Sequence, residues 1–225
     1  MTELTVDILE TFISGLTIGG NVISSADDGT NTTITVLNTY HARATMPIFI
    51  DTVEKNIVTV NQTLKTITFS TVVASPVAFT LNSPFYFHGT ALATSASISY
   101  LDDASKVPMI YLHETLRERE LSTDSAILRE SEMRLFFLDV ANYQDWTNDE
   151  HYSKRIFGLN QLVDLFILSL KADVENFYTY ETEFTRTNHA KWGQFVDLKG
   201  HVQSIFNEHL SGIELVFTLP IRKSC

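Results

Sequence analysis

Seven histidines, His41, His88, His113, His151, His189, His201 and His209, are the residues best suited by type to hold a metal or move a proton near neutral pH. No pair of them shows metal-ligand spacing with a third ligand nearby in sequence. His113-Glu114 and Glu150-His151 are adjacent, so on a helix or a strand the members of each pair point apart. Single surface or edge histidines are expected, and a hydrolase using His113 or His151 is the enzymatic alternative. A second concentration of chemistry runs through Glu114, Arg117, Glu118, Arg119 and Glu120, then Arg129, Glu130 and Glu132. Acid–base catalysis would need one of these carboxylates in a pocket that raises its pKa. The mixture of signs predicts a charge-laced surface instead, and against a neighbouring subunit the same charges would set register between copies. Gly19-Gly20, Gly89 and Gly212 belong to no glycine-rich loop followed by lysine, so no phosphate cradle is expected. Cys225 has no local motif to activate it. Phe85, Tyr86 and Phe87 suit a carbohydrate platform if exposed and a strand core if buried. No catalytic residue, cofactor or metal is expected, and nothing in these residues argues for an enzyme.

The elements that would carry these residues differ between the two halves. Residues 1–106 hold 9 acidic and 4 basic side chains, against 18 and 12 in residues 107–225. The first eighty residues also contain 17 threonines, which favour strands. A β-rich N-terminal domain with a leading helix is expected over 1–106 and an α+β domain over 107–225, joined near Asp102 to Lys106. Leu4, Ile8, Phe12 and Leu16 recur every four residues, with Leu9 and Ile13 widening the stripe of a short helix that Gly19-Gly20 stops or closely follows. Short strands follow, "NVISSA" and "TTITVL" flanking Asp27-Asp28-Gly29, then "MPIFID", "NIVTV", "KTITF", "VAFTL" and "ISYLD". Their close spacing predicts a small barrel or sandwich.

In the second half "PMIYLH" and "EMRLFFLD" read as strands, and the charged "ETLRERELSTDSAILRESE" between them as a solvated helix or exposed loop. Thr147-Asn148-Asp149-Glu150 is a capping box for a helix running to Lys171 or Ala172. Tyr152, Ile156, Leu159, Val163, Phe166 and Leu170 form its buried stripe, and Leu162, Leu165 and Ile167 extend the apolar surface beyond one face. Either two layers or a partner subunit should cover it. "NFYTYETEFTRT" and "HVQSIF" read as strands. In "LSGIELVFTLPIRKSC" the residues Ile213, Leu215, Phe217, Leu219 and Ile221 alternate onto one face, and Pro220 predicts a strand that lies at a sheet edge or leaves the ladder. One long helix on an antiparallel sheet is an α+β arrangement.

Composition narrows the partners. A net charge of −11 repels phosphate and argues against sequence-specific nucleic-acid binding. No stretch approaches the roughly 20 apolar residues of a membrane span. The acidic start "MTELTVDILETF" is unlike a secretory signal, and a single cysteine leaves no disulfide framework. Assembly in a reducing cytoplasm fits these features.

"PFYFHGTALATSASISYLDDASKVPMIYLHE" (84–114) resembles structural proteins of tailed bacteriophages, especially those infecting Bacteroidota. "SEMRLFFLD" (131–139), "WTNDEHY" (146–152) and "FNEHLSGIELVFTLPI" (206–221) extend the resemblance, and the last looks like the ending of phage neck and tail-completion proteins. The resemblance covers most of residues 84–225. It implies a ring of the head–tail connector, a neck ring or tail terminator of six- or twelve-fold order, located in the virion and assembled in the bacterial host cytoplasm. The implied partners are further copies of the chain, portal or neck adaptor proteins, the tail-tube protein and viral DNA in non-specific passage. An acidic lumen suits such a conduit, because it neither grips nor stalls DNA.

The subunit-interface candidates are then Phe166 and Leu165 on the long helix, Ile213, Leu215 and Phe217 on the last strand, and Arg117, Glu118 and Arg119 in the charged run. The last strand is expected to be the edge that meets a neighbour or the support beneath that edge. The alternative reading is a host-surface or capsid-decorating recognition module, which requires Phe85, Tyr86 and Phe87 to form an exposed patch.

Overall fold

Isoleucine and threonine alternate through much of residues 31–70, and the fold uses that alternation to line and clothe a barrel. The structure is a computed structural model that describes residues 4–90, 107–113, 116–122, 127–142, 145–179, 182–196, 202–204 and 209–222. Two units pack separately, one of residues 17–83 and one of the described residues before and after them.

In the first unit six strands, β1 Ile18–Asp27, β2 Asn31–Val36, β3 Pro47–Ile50, β4 Val53–Asn61, β5 Thr66–Ser70 and β6 Ala78–Leu81, close into a barrel in the order β1-β2-β5-β4-β3-β6. Ile34 and Val36, Ile48 and Ile50, Ile67 and Phe69, and Phe79 and Leu81 are buried on alternate positions of their strands. Each such side chain contributes about 1.5–3 kcal/mol through burial. The threonines between them face outward, where β-branching suits the pleat, and the hydroxyls of Thr33 and Thr68 lie 2.8 Å apart across β2 and β5. Asp28 fixes the first turn, its Oδ1 accepting from the N–H groups of Thr30 (2.9 Å) and Asn31 (2.7 Å), with Gly29 at φ +87°. Those bonds hold the Asp28 carboxyl below its usual pKa, the one from Asn31 first.

Gly19 and Gly20 follow the first helix closely, as one of the two expectations had it, and lie inside β1. A Cβ on Gly19 would stand 2.3 Å from the Phe79 carbonyl oxygen, so β6 approaches closer than any side chain permits. The helix itself, α1 Thr5–Ser14, ends earlier, at Gly15. Its buried residues are Thr5, Leu9 and Ile13, while Leu4 is exposed. Phe12 on its flank meets Phe166 and Phe177 edge-on at 5.5 and 5.4 Å. These contacts place α1 with the later sheet. The expected boundary near residues 102–106, outside the described residues, is thus not where the units part. They part at 16/17 and 83/84.

The second unit is built on a six-stranded sheet. Its strands are β7 Phe85–Gly89, β8 Met109–His113, β9 Arg117–Ser122, β10 Ile127–Val140, β11 Thr185–Trp192 and, after the short pair β12 Gln194–Val196 and β13 Val202–Ser204, β14 Leu210–Arg222. The order is β11-β14-β10-β8-β7, with β9 also on β10. Every pair is antiparallel except β7–β8, which fits the mostly antiparallel sheet expected under one long helix. Residues 90–108 link β7 to β8, long enough for the crossover that parallel strands need. The charged stretch expected as helix or loop is the hairpin of β9 and β10. The stretch expected as a strand from Asn176 becomes one only at Thr185; before it, Phe177 makes an isolated bridge to Ile221. "ISYLD" lies outside the described residues.

The capping box forms as expected. The Thr147 hydroxyl accepts from the Glu150 N–H, and the Glu150 carboxylate accepts from the Thr147 N–H. It opens α2 Asn148–His151, which runs through a π turn, Tyr152–Ile156, into α3 Phe157–Ala172. Phe166 inserts under the sheet, 5.4 Å from Phe137 and 6.2 Å from Phe217, both edge-on. On the opposite face Met109, Tyr111, Phe136, Leu138, Trp192 and Leu210 form a second core with Phe85 and Phe87 against it.

β14 is not an edge strand but lies one strand in, beside the end strand β11. It is paired with β10 along its length and with β11 over Leu210 to Val216. Pro220 is tolerated because its carbonyl accepts from the Tyr178 N–H (2.9 Å) on the side away from β10. Its missing N–H would point the same way, beyond the reach of β11, so no ladder bond to β10 is lost.

Candidate functional site

The long ladder of β10 and β14 decides where the expected interface residues go. Ile213, Leu215 and Phe217 face α3 and are buried, as is Phe166. They are core of the same chain and present nothing to a neighbour, which corrects their expected role. Leu165 is half-buried. One broad face of α3 is thus covered by its own sheet and α1, while Phe157 and Leu168, eleven residues apart and so on one side of the helix, remain 54% and 67% exposed.

Arg117 and Arg119 point away from the helices, paired across the hairpin with Glu132 (3.5 Å) and Glu130 (2.9 Å). Glu118 points to the other face, where Thr5 and Ser131 donate hydrogen bonds to it and the buried Arg129 lies 3.7 Å away. These charges fix register within the hairpin, between β9 and β10, and tie α1 to it. The sequence showed the charges but not their pairing, because two-residue spacing on facing strands leaves no helical or motif signature.

Phe85 and Phe87 pack against the sheet core. Tyr86 points to the other face, its hydroxyl buried; burial first, then the charges of Glu10 and Asp7, push its phenol well above the usual range. That places the acids of α1 beside β7.

His151 is fully buried, with Nδ1 3.0 Å from the Ser211 hydroxyl, which donates to the Ala190 carbonyl at 2.6 Å. Asp139 lies opposite Ser211 in the ladder and 3.6 Å from the Arg155 guanidinium. Serine, histidine and aspartate meet here, but the serine proton is engaged and solvent is shut out. His113 is half-buried at the end of β8. Among the described residues no group of three His, Cys, Asp or Glu stands where it would hold a metal. Cys225 and His201 lie outside those residues.

Two features were not anticipated. Glu214 sits between Arg134 of β10 (2.5 Å) and His189 of β11 (3.1 Å). Burial opposes its ionisation, but those two hydrogen bonds outweigh it and hold its carboxyl below the ordinary range. The barrel wall also opens where β2 ends at Val36 and leaves the first residues of β1. A cavity of about 340 Å³ lies there, lined by Gly20, Ile23, Leu37, Asn38, His41 and Phe79 among others. Ile23 and Leu37 are 65% and 73% exposed at its rim.

Among the described strands β7 and β11 are the two ends of the sheet, each paired on one side only. β11 carries Arg186, His189 and Lys191 and no acid, an inversion of the chain's overall sign that "TRTNHAKW" already displays. No protein-family description, curated protein or solved structure matches the chain.

Proposed function

We propose that this chain is a structural protein of a tailed-bacteriophage neck, a ring of six or twelve copies that joins the portal or its adaptors to the tail tube and lets viral DNA pass. The observation that carries this reading is the fate of Phe85, Tyr86 and Phe87. A recognition surface for glycans needs such a stretch exposed; here all three are half-buried, with Phe85 and Phe87 packed against the sheet core and the Tyr86 hydroxyl buried. The resemblance of residues 84–221 to neck and tail-completion proteins supports the reading. So do the net charge of −11, suited to a non-gripping conduit, and a sheet whose two end strands, among the described strands, are each paired on one side only. Mass photometry and negative-stain imaging of the chain, alone and with its portal and tail-tube proteins, test it. Rings in either condition are expected. A monomer that ignores both partners would reject it.

The cavity in the barrel wall favours a second reading, in which residues 17–83 form a recognition module for a host or capsid surface. Its size and mixed apolar and amide lining suit a small ligand. Glycan screening that finds a ligand blocked by Gly20→Val, with the fold intact, would select it.

A further inference from the structure

We propose that the C-terminal sheet continues from copy to copy, β11 of one chain pairing antiparallel to β7 of the next. This rests on the neck-ring reading and names its contact. Strand direction is the first argument. β11 runs with β10, whereas β8 and β7 run against it. Among the described strands, the two end strands of the sheet therefore run in opposite directions. Copies related by rotation about an axis along the strands bring those ends together antiparallel, with no copy turned over. Such a contact is heterologous and closes into a ring.

Charge separates this arrangement from a two-fold dimer. Beside β7, α1 exposes Asp7 and Glu10 and carries no base. On the face that α1 and α3 cover, β11 carries Arg186, which Asp164 accompanies, and Lys191, and no acid. Pairing β11 with its own copy would set Lys191 near Lys191, and pairing β7 with its own copy would set the α1 acids together. Only the unlike ends are complementary.

The helices agree with the strands. Both α1 and α3 pack on the same face of the sheet, α1 beside β7 and α3 toward β11, where Arg186 reaches Asp164 at 2.6 Å. When the sheet continues, the exposed side of α3, with Phe157, Asp164 and Leu168, meets α1 of the next copy. That buries Leu168, 67% exposed within the chain. Main-chain pairing at the edge then gives affinity, and the flanking charges give direction.

The test uses the full chain in whichever condition the wild type assembles, alone or with portal and tail-tube proteins. Lys191→Glu and, separately, Asp7→Lys with Glu10→Lys should each cut the ring fraction by about tenfold in mass photometry. The triple variant, complementary again with its signs exchanged, should restore rings, which a folding defect would not allow. Rings that ignore both reversals overturn this contact and leave the neck-ring reading standing; a discrete wild-type dimer cross-linked through β11 to β11 in both conditions overturns the contact and the ring reading together. A wild type that stays monomeric in both conditions rejects the ring reading and this contact together.

Discussion

His151 donates from Nδ1 to the Ser211 hydroxyl across 3.0 Å, and neither side chain is exposed to solvent. The direction follows from the serine, whose own proton goes to the Ala190 carbonyl. Burial, then the charges of Lys191 and Arg155, lower the His151 pKa below its ordinary 6.5 despite Glu150. The folded chain therefore favours the neutral ring, while the unfolded chain takes up a proton near the ordinary value. The stability this group contributes is fully present above that value and is lost as pH falls below it. His151→Phe, an apolar ring that keeps the contact with Trp146, should flatten this acid limb. Denaturant midpoints at about pH 7.5 and pH 5.5 read it directly. An equal drop in wild type and variant would assign the acid limb to other groups.

Arg155 lies 3.6 Å from Asp139, a carboxylate only 2% exposed, and also donates to the Val140 carbonyl at 2.6 Å. Removing the guanidinium strips a buried charge of its cation, which costs far more than an exposed pair would. Arg155→Ala should destabilise the unit by about 3–5 kcal/mol. Asp139→Asn combined with Arg155→Met should recover much of that. A loss under about 1 kcal/mol in urea unfolding would mean that water or other groups already solvate Asp139.

How far the sequence reached can be followed through single strands. The alternation of Ile213, Leu215, Phe217, Leu219 and Ile221 gave the buried face of β14 correctly, since one face of a strand is written in its own residues. Its position between β10 and β11 was not written there, because ladder neighbours are set by the whole chain. Pro220 pointed to an edge, and the structure meets that local demand by ending β11 short of it. The β9–β10 hairpin was hidden by its charges: Arg117, Arg119, Glu130 and Glu132 share an exposed face, where polarity carries no strand signal. Thr147 and Glu150 showed their helix start plainly, since a capping box acts within four residues. The grouping of α1 with β10 and α3 depends on Phe12 and Thr5 reaching residues more than a hundred positions away. The two ends of the sheet, the site of the proposed contact, could be seen only once that order was known.

The β3–β4 hairpin turns at Asp51 and Thr52, with φ of 47° and 77°. Both lie in the left-handed region, the geometry of a two-residue primed turn. Asp51 is suited to it, and its carboxylate also accepts from the Ala78 N–H at 3.0 Å. A β-branched threonine is not. Thr52→Gly should therefore stabilise the barrel by about 1 kcal/mol, a shift visible in its thermal midpoint. No gain, or a loss, would show that the threonine side chain holds the turn in another way.

Gly19 and Gly20 are neighbours in β1 with opposite tolerances. A Cβ at Gly19 would fall 2.3 Å from the Phe79 carbonyl oxygen and 2.9 Å from Thr80 Cγ2. Backbone cannot swing aside as a side-chain tip can, so Gly19→Ala must push β1 away from β6. These strands are registered from Ile18–Leu81 to Asn21–Ala78, and separating them opens the barrel at the seam that closes it. A loss of about 2–4 kcal/mol is expected. At Gly20 the nearest atom is Phe79 Cε1 at 3.5 Å, an ordinary contact. Gly20→Ala should stay within about 1 kcal/mol of wild type, any entropic gain in the unfolded chain included. Hydrogen exchange of the β1 and β6 amides in the two variants locates the effect. Fast exchange confined to those strands in Gly19→Ala supports a seam held by close backbone approach. Equal protection in both variants would mean that β6 yields to the added methyl and that the glycine is not required there.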